Sequence, residues 1–370
     1  MPDSSTHTPS SPHDADLALI RDAVLKAGAI ALEGFNAADT KIWDKEENHP
    51  VTQTDIEVND YLQEHLCEAR PDYGWLSEET KDDLSRHDCQ RTFVVDPIDG
   101  TRAFIDRTPN FAISVAIIED GMPIVAALYN PLNDELYTAQ IGKGAFLNDA
   151  RISTSQRSTI EDCRMVGYPR KFRRLGWPDM NVSVVNSMAY RMCLVACAKV
   201  DATVSFTPKS DWDLAAAILV VSEAGGRTTT IAGKDIRFDQ KTTTNLGVIS
   251  AGPKLQPLLL KQVKRLIDAF DKSDNKIRDF SHLGTKPEDR KDKKQMQLLH
   301  LVIGGELVDP LKTEFIDLEK VDFVGAFPNY ETAKDAWKSA AQRSVDNAHM
   351  RYFILHAHEL IDPDKDGIIG

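Results

Sequence analysis

Apolar residues recur at helical spacing over residues 14–34, where Leu17, Ile20, Val24, Leu25 and Ile30 mark one face, so the pattern predicts an amphipathic helix. A second helix is expected over residues 55–69. From there the period shortens: residues 93–95, 111–118, 124–129 and 135–139 are short β-rich runs. Turn signals part them, among them Glu119-Asp120-Gly121 and Asn130-Pro131-Leu132-Asn133. Helical spacing returns over residues 189–200 and 213–224, the latter stopped by Gly225-Gly226. Helix and sheet blocks that alternate without an internal repeat predict a layered α/β (α+β) body over residues 14–270.

The pattern lapses over residues 271–295, where Asp271-Lys272-Ser273-Asp274 and Arg290-Lys291-Asp292-Lys293-Lys294 leave almost no core formers, which reads as a charged, solvated linker. Beyond it, strands are expected over residues 298–303, 321–327 and 351–356 and a helix over 330–345, a small α/β domain spanning 296–370. Residues 1–13, rich in Ser, Pro and Thr, are expected to be disordered and carry neither a basic leader nor an apolar core.

Composition narrows the function classes. A formal net charge of -13 argues against sequence-independent nucleic-acid binding, which needs Lys and Arg to neutralise phosphates. No apolar run has the length of a membrane span. Cys67, Cys89, Cys163, Cys193 and Cys197 lack metal-knuckle spacing, and the odd count suits a reducing cytoplasm. Cys193 and Cys197, four apart, are expected to be core residues.

The candidate chemistry centres on Asp96-Pro97-Ile98-Asp99-Gly100-Thr101, directly after the run at 93–95. Proline cannot donate to a sheet ladder and glycine permits an abrupt turn, so the strand is expected to stop here and leave its carbonyls unpaired. Asp96 and Asp99 with those carbonyls would form a hard-oxygen cage, and a cation such as Mg²⁺ would relieve their mutual repulsion. Pro-x-Asp-Gly is equally good chemistry for an ordinary surface turn.

Three more segments accompany it in order: Pro50-Val51-Thr52-Gln53-Thr54-Asp55, Trp75-Leu76-Ser77-Glu78-Glu79, and Asp211-Trp212-Asp213-Leu214-Ala215-Ala216 with Glu223-Ala224-Gly225-Gly226. Together they resemble the signature of the inositol monophosphatase superfamily of Mg²⁺-dependent, lithium-sensitive phosphatases, over residues 14–270. The resemblance implies a layered αβαβα sugar-phosphatase fold and two or three Mg²⁺ ions held by Glu78, Asp96, Asp99, Asp213 and the carbonyl of Ile98. It implies that Thr101 and Asp55, with Glu78, serve catalysis by taking the proton from a metal-activated water that attacks phosphorus in line. Lys45 matches a basic position ahead of the first motif. Each acid also has a plainer reading: Asp55 as a helix cap, Asp213 as a first-turn acid favoured by the helix dipole, Glu78 and Glu79 as a solvated turn.

Substrate must be read elsewhere. Ser187-Met188-Ala189-Tyr190-Arg191 through Asp201, followed by Pro208-Lys209-Ser210-Asp211-Trp212-Asp213, looks most like the bacterial 3'(2'),5'-bisphosphate nucleotidases. By that resemblance Asp99, Gly100, Thr101, Ser187, Met188 and Ala189 contact substrate. Many inositol monophosphatases place an acid seven positions before the Trp-Asp aspartate, where this chain has Phe206, which suits a nucleobase better than a polyol. The basic cluster Arg170-Lys171-Phe172-Arg173-Arg174, with Lys209 or Arg191, is expected to hold a second phosphate. The expected reaction removes the 3'-phosphate of adenosine 3',5'-bisphosphate, a by-product of sulfate activation, giving AMP. Hydrolysis of inositol 1-phosphate or a related sugar phosphate is the alternative.

The C-terminal part resembles a small bacterial domain family of unknown function through Leu299-His300-Leu301-Val302-Ile303-Gly304-Gly305-Glu306 and residues 341–351. It admits a reading of another class, a scaffold or regulator. The chain as a whole is expected to be a homo-oligomeric enzyme carrying a protein-interaction module. His300, His349, His356 and His358 read as surface residues rather than metal ligands, and residues 362–369 imitate only the first half of a calcium loop.

Overall fold

The computed structural model describes residues 12–37, 41–46, 49–272, 300–308, 316–317, 320–327, 330–343 and 350–356. The described residues up to Lys272 pack as one compact unit and those from His300 onward as another. The disordered N-terminus expected over 1–13 lies outside the described residues up to 11, but Pro12 and His13 already belong to a helix. The linker expected over 271–295 likewise lies outside them, except that Asp271 and Lys272 close a helix.

The first unit begins with helix α1 (Pro12–Asn36), a hairpin of β1 (Ile42–Glu46) and β2 (His49–Thr52), and helix α2 (Gln53–Ala69). A seven-stranded sheet follows in chain order: β3 (Gly74–Ser77), β4 (Arg91–Asp99), β5 (Ala112–Glu119), β6 (Met122–Asn130), β7 (Glu135–Gln140), β8 (Gly144–Leu147) and β9 (Ala150–Arg151). The β3–β4 pair is parallel and the remaining pairs antiparallel. A five-stranded sheet is ordered β11-β10-β12-β16-β14, from β10 (Arg164–Val166), β11 (Asn181–Ser183), β12 (Ala202–Ser205), β14 (Arg227–Thr230) and β16 (Val248–Ala251). The two-residue strands β13 (Lys209–Ser210) and β15 (Thr244–Asn245) pair just ahead of the sixth helix. The helices are α3 (Thr101–Ile105), α4 (Pro169–Arg174), α5 (Met188–Ala196), α6 (Asp211–Glu223) and α7 (Gln256–Lys272).

These elements stack as alternating layers because the central strands bury both faces. Along β5, Ile113, Val115 and Ile117 join a core with α1 and α2, while Ala112, Ala116 and Ile118 face α5 and α6. A strand covered on both sides reads as a continuous apolar run, which is why residues 111–118 stand out in the sequence. The five-stranded sheet is closed on its outer face by α4 and α7 through Phe172, Trp177, Leu255, Leu259 and Val263. The order is αβαβα, as the resemblance implied.

One expectation fails instructively. The strand does not stop at Pro97; β4 runs on to Asp99. Its register against β5 moves from Asp96↔Ser114 to Asp99↔Ala112, so three steps on β4 oppose two on β5. That is a β-bulge, which absorbs one extra residue, accommodates the missing proline N–H and bends the strand end. The second unit is a three-stranded sheet with β17 (His300–Glu306) between β18 (Asp322–Phe327) and β19 (Met350–His356). Helix α8 (Tyr330–Arg343) is tied to it by Trp337 Nε1, which donates to Tyr352 O at 2.7 Å. His349, His358 and the calcium-like segment 362–369 lie outside the described residues.

Phe93 is fully buried, with the rings of Tyr73 and Trp75 5.2 and 6.4 Å away. Phe93→Ala is expected to lower the stability of this unit by about 3–5 kcal/mol, read from urea unfolding, because the layered core cannot collapse into the gap.

Candidate active site

The bend in β4 delivers two carboxylates to the sheet end. Asp96 and Asp99 are 1% and 5% exposed, and with Asp213 at the start of α6 they offer three carboxylate oxygens within 4.8 Å of one another. Asp213 is in place because Ser210 and Asp213 form a capping box at the α6 N-terminus, Asp213 Oδ2 accepting from Ser210 N at 2.8 Å. The plainer sequence reading of Asp213 as a helix-start acid therefore also holds. Glu78 extends the β3–β4 ladder through its N–H to Val95 O (3.3 Å), and its charge acts on Asp96, but it stands outside the tight trio.

Asp99 is fixed from the opposite side. Its Oδ2 accepts from Ser187 Oγ (2.5 Å) and Ala189 N (2.6 Å), and its Oδ1 from Met188 N (3.1 Å), the donors of the α5 N-terminus. Ser187, Met188 and Ala189, expected to contact substrate, thus direct these donors at Asp99. Gly100 makes the approach possible: its φ is +100°, and a Cβ would lie 2.9 Å from Asn110 O and 3.1 Å from Ser187 Cβ.

Asp55 lies nearby at 1% exposure. It caps α2 reciprocally with Thr52, whose N–H and hydroxyl both donate to Asp55 Oδ2, at 2.8 and 2.5 Å. The cap reading and the catalytic reading meet in one residue, because its other oxygen faces Thr101 Oγ1 at 3.2 Å. Thr101 Oγ1 also lies 3.3 Å from the Ile98 carbonyl.

Electrostatics mark the cluster as strained. Burial first, then Glu78, Asp99, Asp213 and Asp55, pushes the Asp96 carboxyl well above its ordinary range. Burial, then Asp213, raises Asp99 to about 6 against the bonds from Ser187 and Ala189, and burial raises Asp55 to about 6 against those from Thr52. Asp96 Oδ2 is buried and meets no hydrogen-bond partner among the described residues. An orphaned carboxylate oxygen in an all-oxygen donor set fits a hard cation such as Mg²⁺.

A cleft next to the α5 N-terminus is lined by Tyr168, Lys171, Asn186, Arg191, Phe206 and Lys209 among others, and the Lys209 charge reaches Asp99. Arg191 is 4% exposed, donates Nε to Val185 O, lies 5.4 Å from the centre of the Tyr168 ring and has no carboxylate partner among the described residues. The basic cluster expected to hold a second phosphate forms helix α4; the side chains of Arg170 and Lys45 lie outside the described residues. Sequence reasoning did not single out Tyr168, Asn186 or Thr52 as site residues; the pairing of Thr52 with an acid three residues on was the available signal for the last. A wider groove of ≈ 840 Å³ beside α7 is lined by none of Asp55, Glu78, Asp96, Asp99 and Asp213.

Carboxylates that converge at the bent end of a mixed sheet, beside a helix N-terminus, can hold a hard cation, and a cation held there could polarise an anionic ester. The inositol monophosphatase family model matches residues 14–268, and the chain belongs to that family. Residues 298–357 match a domain of unknown function (DUF4170). The inositol-1-monophosphatase of Mesorhizobium japonicum is 33% identical over 231 residues, covering 59% of this chain and 84% of that protein. The Nus factor SuhB of Pasteurella multocida is 29% identical, covering 68% and 96%. Among solved structures, the extragenic suppressor protein suhB of Bartonella henselae aligns with a TM-score of 0.61 at 30% identity, covering 68% of this chain and 99% of its own. Among the described residues no helix is long and apolar enough to cross a membrane.

Two outcomes follow from the electrostatics. Asp55 and Asp99 hold protons to about pH 6 in the folded chain against an ordinary 3.8, so between those values the native state binds more protons than the unfolded one. Their contribution to metal-free stability therefore falls as pH rises through that window, and the Tm gain on adding Mg²⁺ is expected to be larger at about pH 7.5 than at about pH 5. Asp96→Asn keeps the acceptor for Ile98 N but removes a repelled charge. It is expected to raise the metal-free Tm by roughly 2–4 °C while abolishing phosphate release and the Mg²⁺ response, checked by thermal melts with and without the ion.

Proposed function

We propose that this protein is a Mg²⁺-dependent phosphomonoesterase that removes the 3'-phosphate of adenosine 3',5'-bisphosphate, giving AMP and phosphate. Glu78, Asp96, Asp99, Asp213 and the Ile98 carbonyl would hold two or three Mg²⁺ ions. Bound there, the cations supply charge neutralisation at the ester and lower the pKa of water. The chain's own residues do the rest. Asp55, locked by Thr52, accepts the Thr101 hydroxyl proton and so turns a Thr101 lone pair outward. That lone pair aims the attacking water along the line of the leaving oxygen and receives its proton.

The observation that carries the substrate reading is Arg191. Arg191 is 4% exposed and has no carboxylate partner among the described residues, and a guanidinium so buried is costly unless an anion visits it. Lys209 lines the same cleft and Phe206 forms part of its wall, offering a bisphosphorylated nucleotide a cationic seat and an aromatic surface. Phe206 stands among Phe172 and Trp177, with ring centres 6.5 and 6.3 Å away, so the wall is built of packed rings. Lithium sensitivity and a role beside sulfate activation accompany this reading.

Hydrolysis of inositol 1-phosphate is the second reading, favoured by relatives that bear that activity in their names. Phosphate release from the two esters with Mg²⁺, then with Li⁺ added, separates them. Arg191→Met is expected to raise the KM for the bisphosphate roughly 10- to 100-fold and leave that for inositol 1-phosphate within a factor of about two. Equal KM changes for both esters would remove the second-phosphate seat. No release from any phosphate ester would favour the regulatory class to which the name of the P. multocida relative points.

A further inference from the structure

We infer that Arg86 is a positioning residue for the cation cage, tying the segment that follows Glu78 to the segment that seats the Asp213 helix. The inference rests on the reading of Glu78, Asp96, Asp99 and Asp213 as a cation site.

Arg86 is the largest fully buried side chain of the described residues, with a guanidinium 0% exposed. It lies in a short 3₁₀ turn, Ser85–Asp88, in the loop that leaves β3 after Glu78 and Glu79. Its Nε and Nη2 donate to Asp82 at 3.1–3.2 Å. Nη1 donates to Asp239 and Nη2 also to Gln240 O at 2.7 Å, so one planar group spans two stretches far apart in the sequence. The fork geometry suits such a span, and an ammonium cannot reproduce it.

The second stretch is bonded to the start of α6. Asp211 N donates to Thr243 O (2.8 Å), Asn245 Nδ2 donates to Asp211 Oδ1 (2.9 Å), and β15 pairs with β13. Arg86 and Asp239 both lie within electrostatic reach of Asp211. Asp213 is two residues further on. The chain of contacts thus runs from the Glu78 loop through Arg86, Asp239 and Asp211 to the capping box that orients Asp213. It spans the two sides of the cage that neither the β3–β4 ladder nor the α5 N-terminus joins. Supporting contacts of this kind set the orientation of ligands and with it cation affinity.

Arg86→Ala would leave two half-buried carboxylates without their partner and open a cavity in the loop, so the informative variants are gentler. Asp239 adopts φ +58°, a left-handed conformation that asparagine tolerates, so Asp239→Asn keeps the loop and removes the charge pair. Arg86→Lys keeps the charge and removes the fork. Mg²⁺ binding is measured by calorimetry on the full chain, alongside the KM for the phosphate ester at saturating Mg²⁺. Both variants are expected to weaken Mg²⁺ binding about 10-fold, with the ester KM changed less than about 2-fold. Arg91→Lys serves as control: Arg91 stands at the other end of β4 from Asp96 and Asp99, bonds Asp16, Tyr73 and Glu119, and bonds no cage carboxylate among the described residues. It is expected to lower the Tm without altering Mg²⁺ affinity. Unchanged Mg²⁺ affinity in Asp239→Asn and Arg86→Lys, or equal weakening in Arg91→Lys, would overturn the inference. Absence of Mg²⁺ binding by the unaltered chain would instead overturn the cage reading beneath it.

Discussion

Three carboxylates that repel one another are held with oxygens within 4.8 Å of one another by a backbone that cannot release them. Asp96 and Asp99 sit on a sheet strand paired on both sides, Asp99 is bonded into a helix start, and Asp213 is locked into a helix cap. Each restraint is made of backbone hydrogen bonds, which the core behind the sheet keeps dry. The repulsion is therefore stored rather than relaxed, and that stored energy is what a bound hard cation would recover.

The bulge in β4 is the device that makes this arrangement possible on a sheet. In an unbroken strand, residues three apart point to opposite faces. With one residue absorbed between Asp96 and Asp99, the two acids converge instead, and Gly100 turns the chain into α3 before a side chain can intrude. Thr101 then opens that helix within reach of Asp55, so the hydroxyl proposed to aim the water and the carboxylate cluster derive from one local distortion.

Much of this was legible in the residues. Strands buried on both faces announce themselves as apolar runs, and the four acidic motifs kept their order and spacing. Pro97 misled, because whether a proline ends a strand depends on the pairing partner: β5 supplies a register that tolerates it, and no local rule reveals that. That the basic stretch after Tyr168 is helical was not legible, because its one buried anchor, Phe172, is flanked by charges and sets no apolar period. Arg86 was invisible for a different reason. Surrounded by Asp82, Asp83 and Asp88 it reads as a surface turn, and its second partner, Asp239, is brought to it only by the tertiary fold.

The scatter of the cage along the chain has a consequence for how the protein folds. The acids proposed as its ligands come from a loop after β3, the end of β4 and the start of α6, and these meet only when the layered core has closed between them. An unfolded chain holds no partial template, so a cation has almost nothing to bind before the native topology exists. It cannot act as a nucleus. Its stabilisation would fall on the finished state and slow escape from it, so a bound ion would govern how long the fold lasts rather than how quickly it is reached.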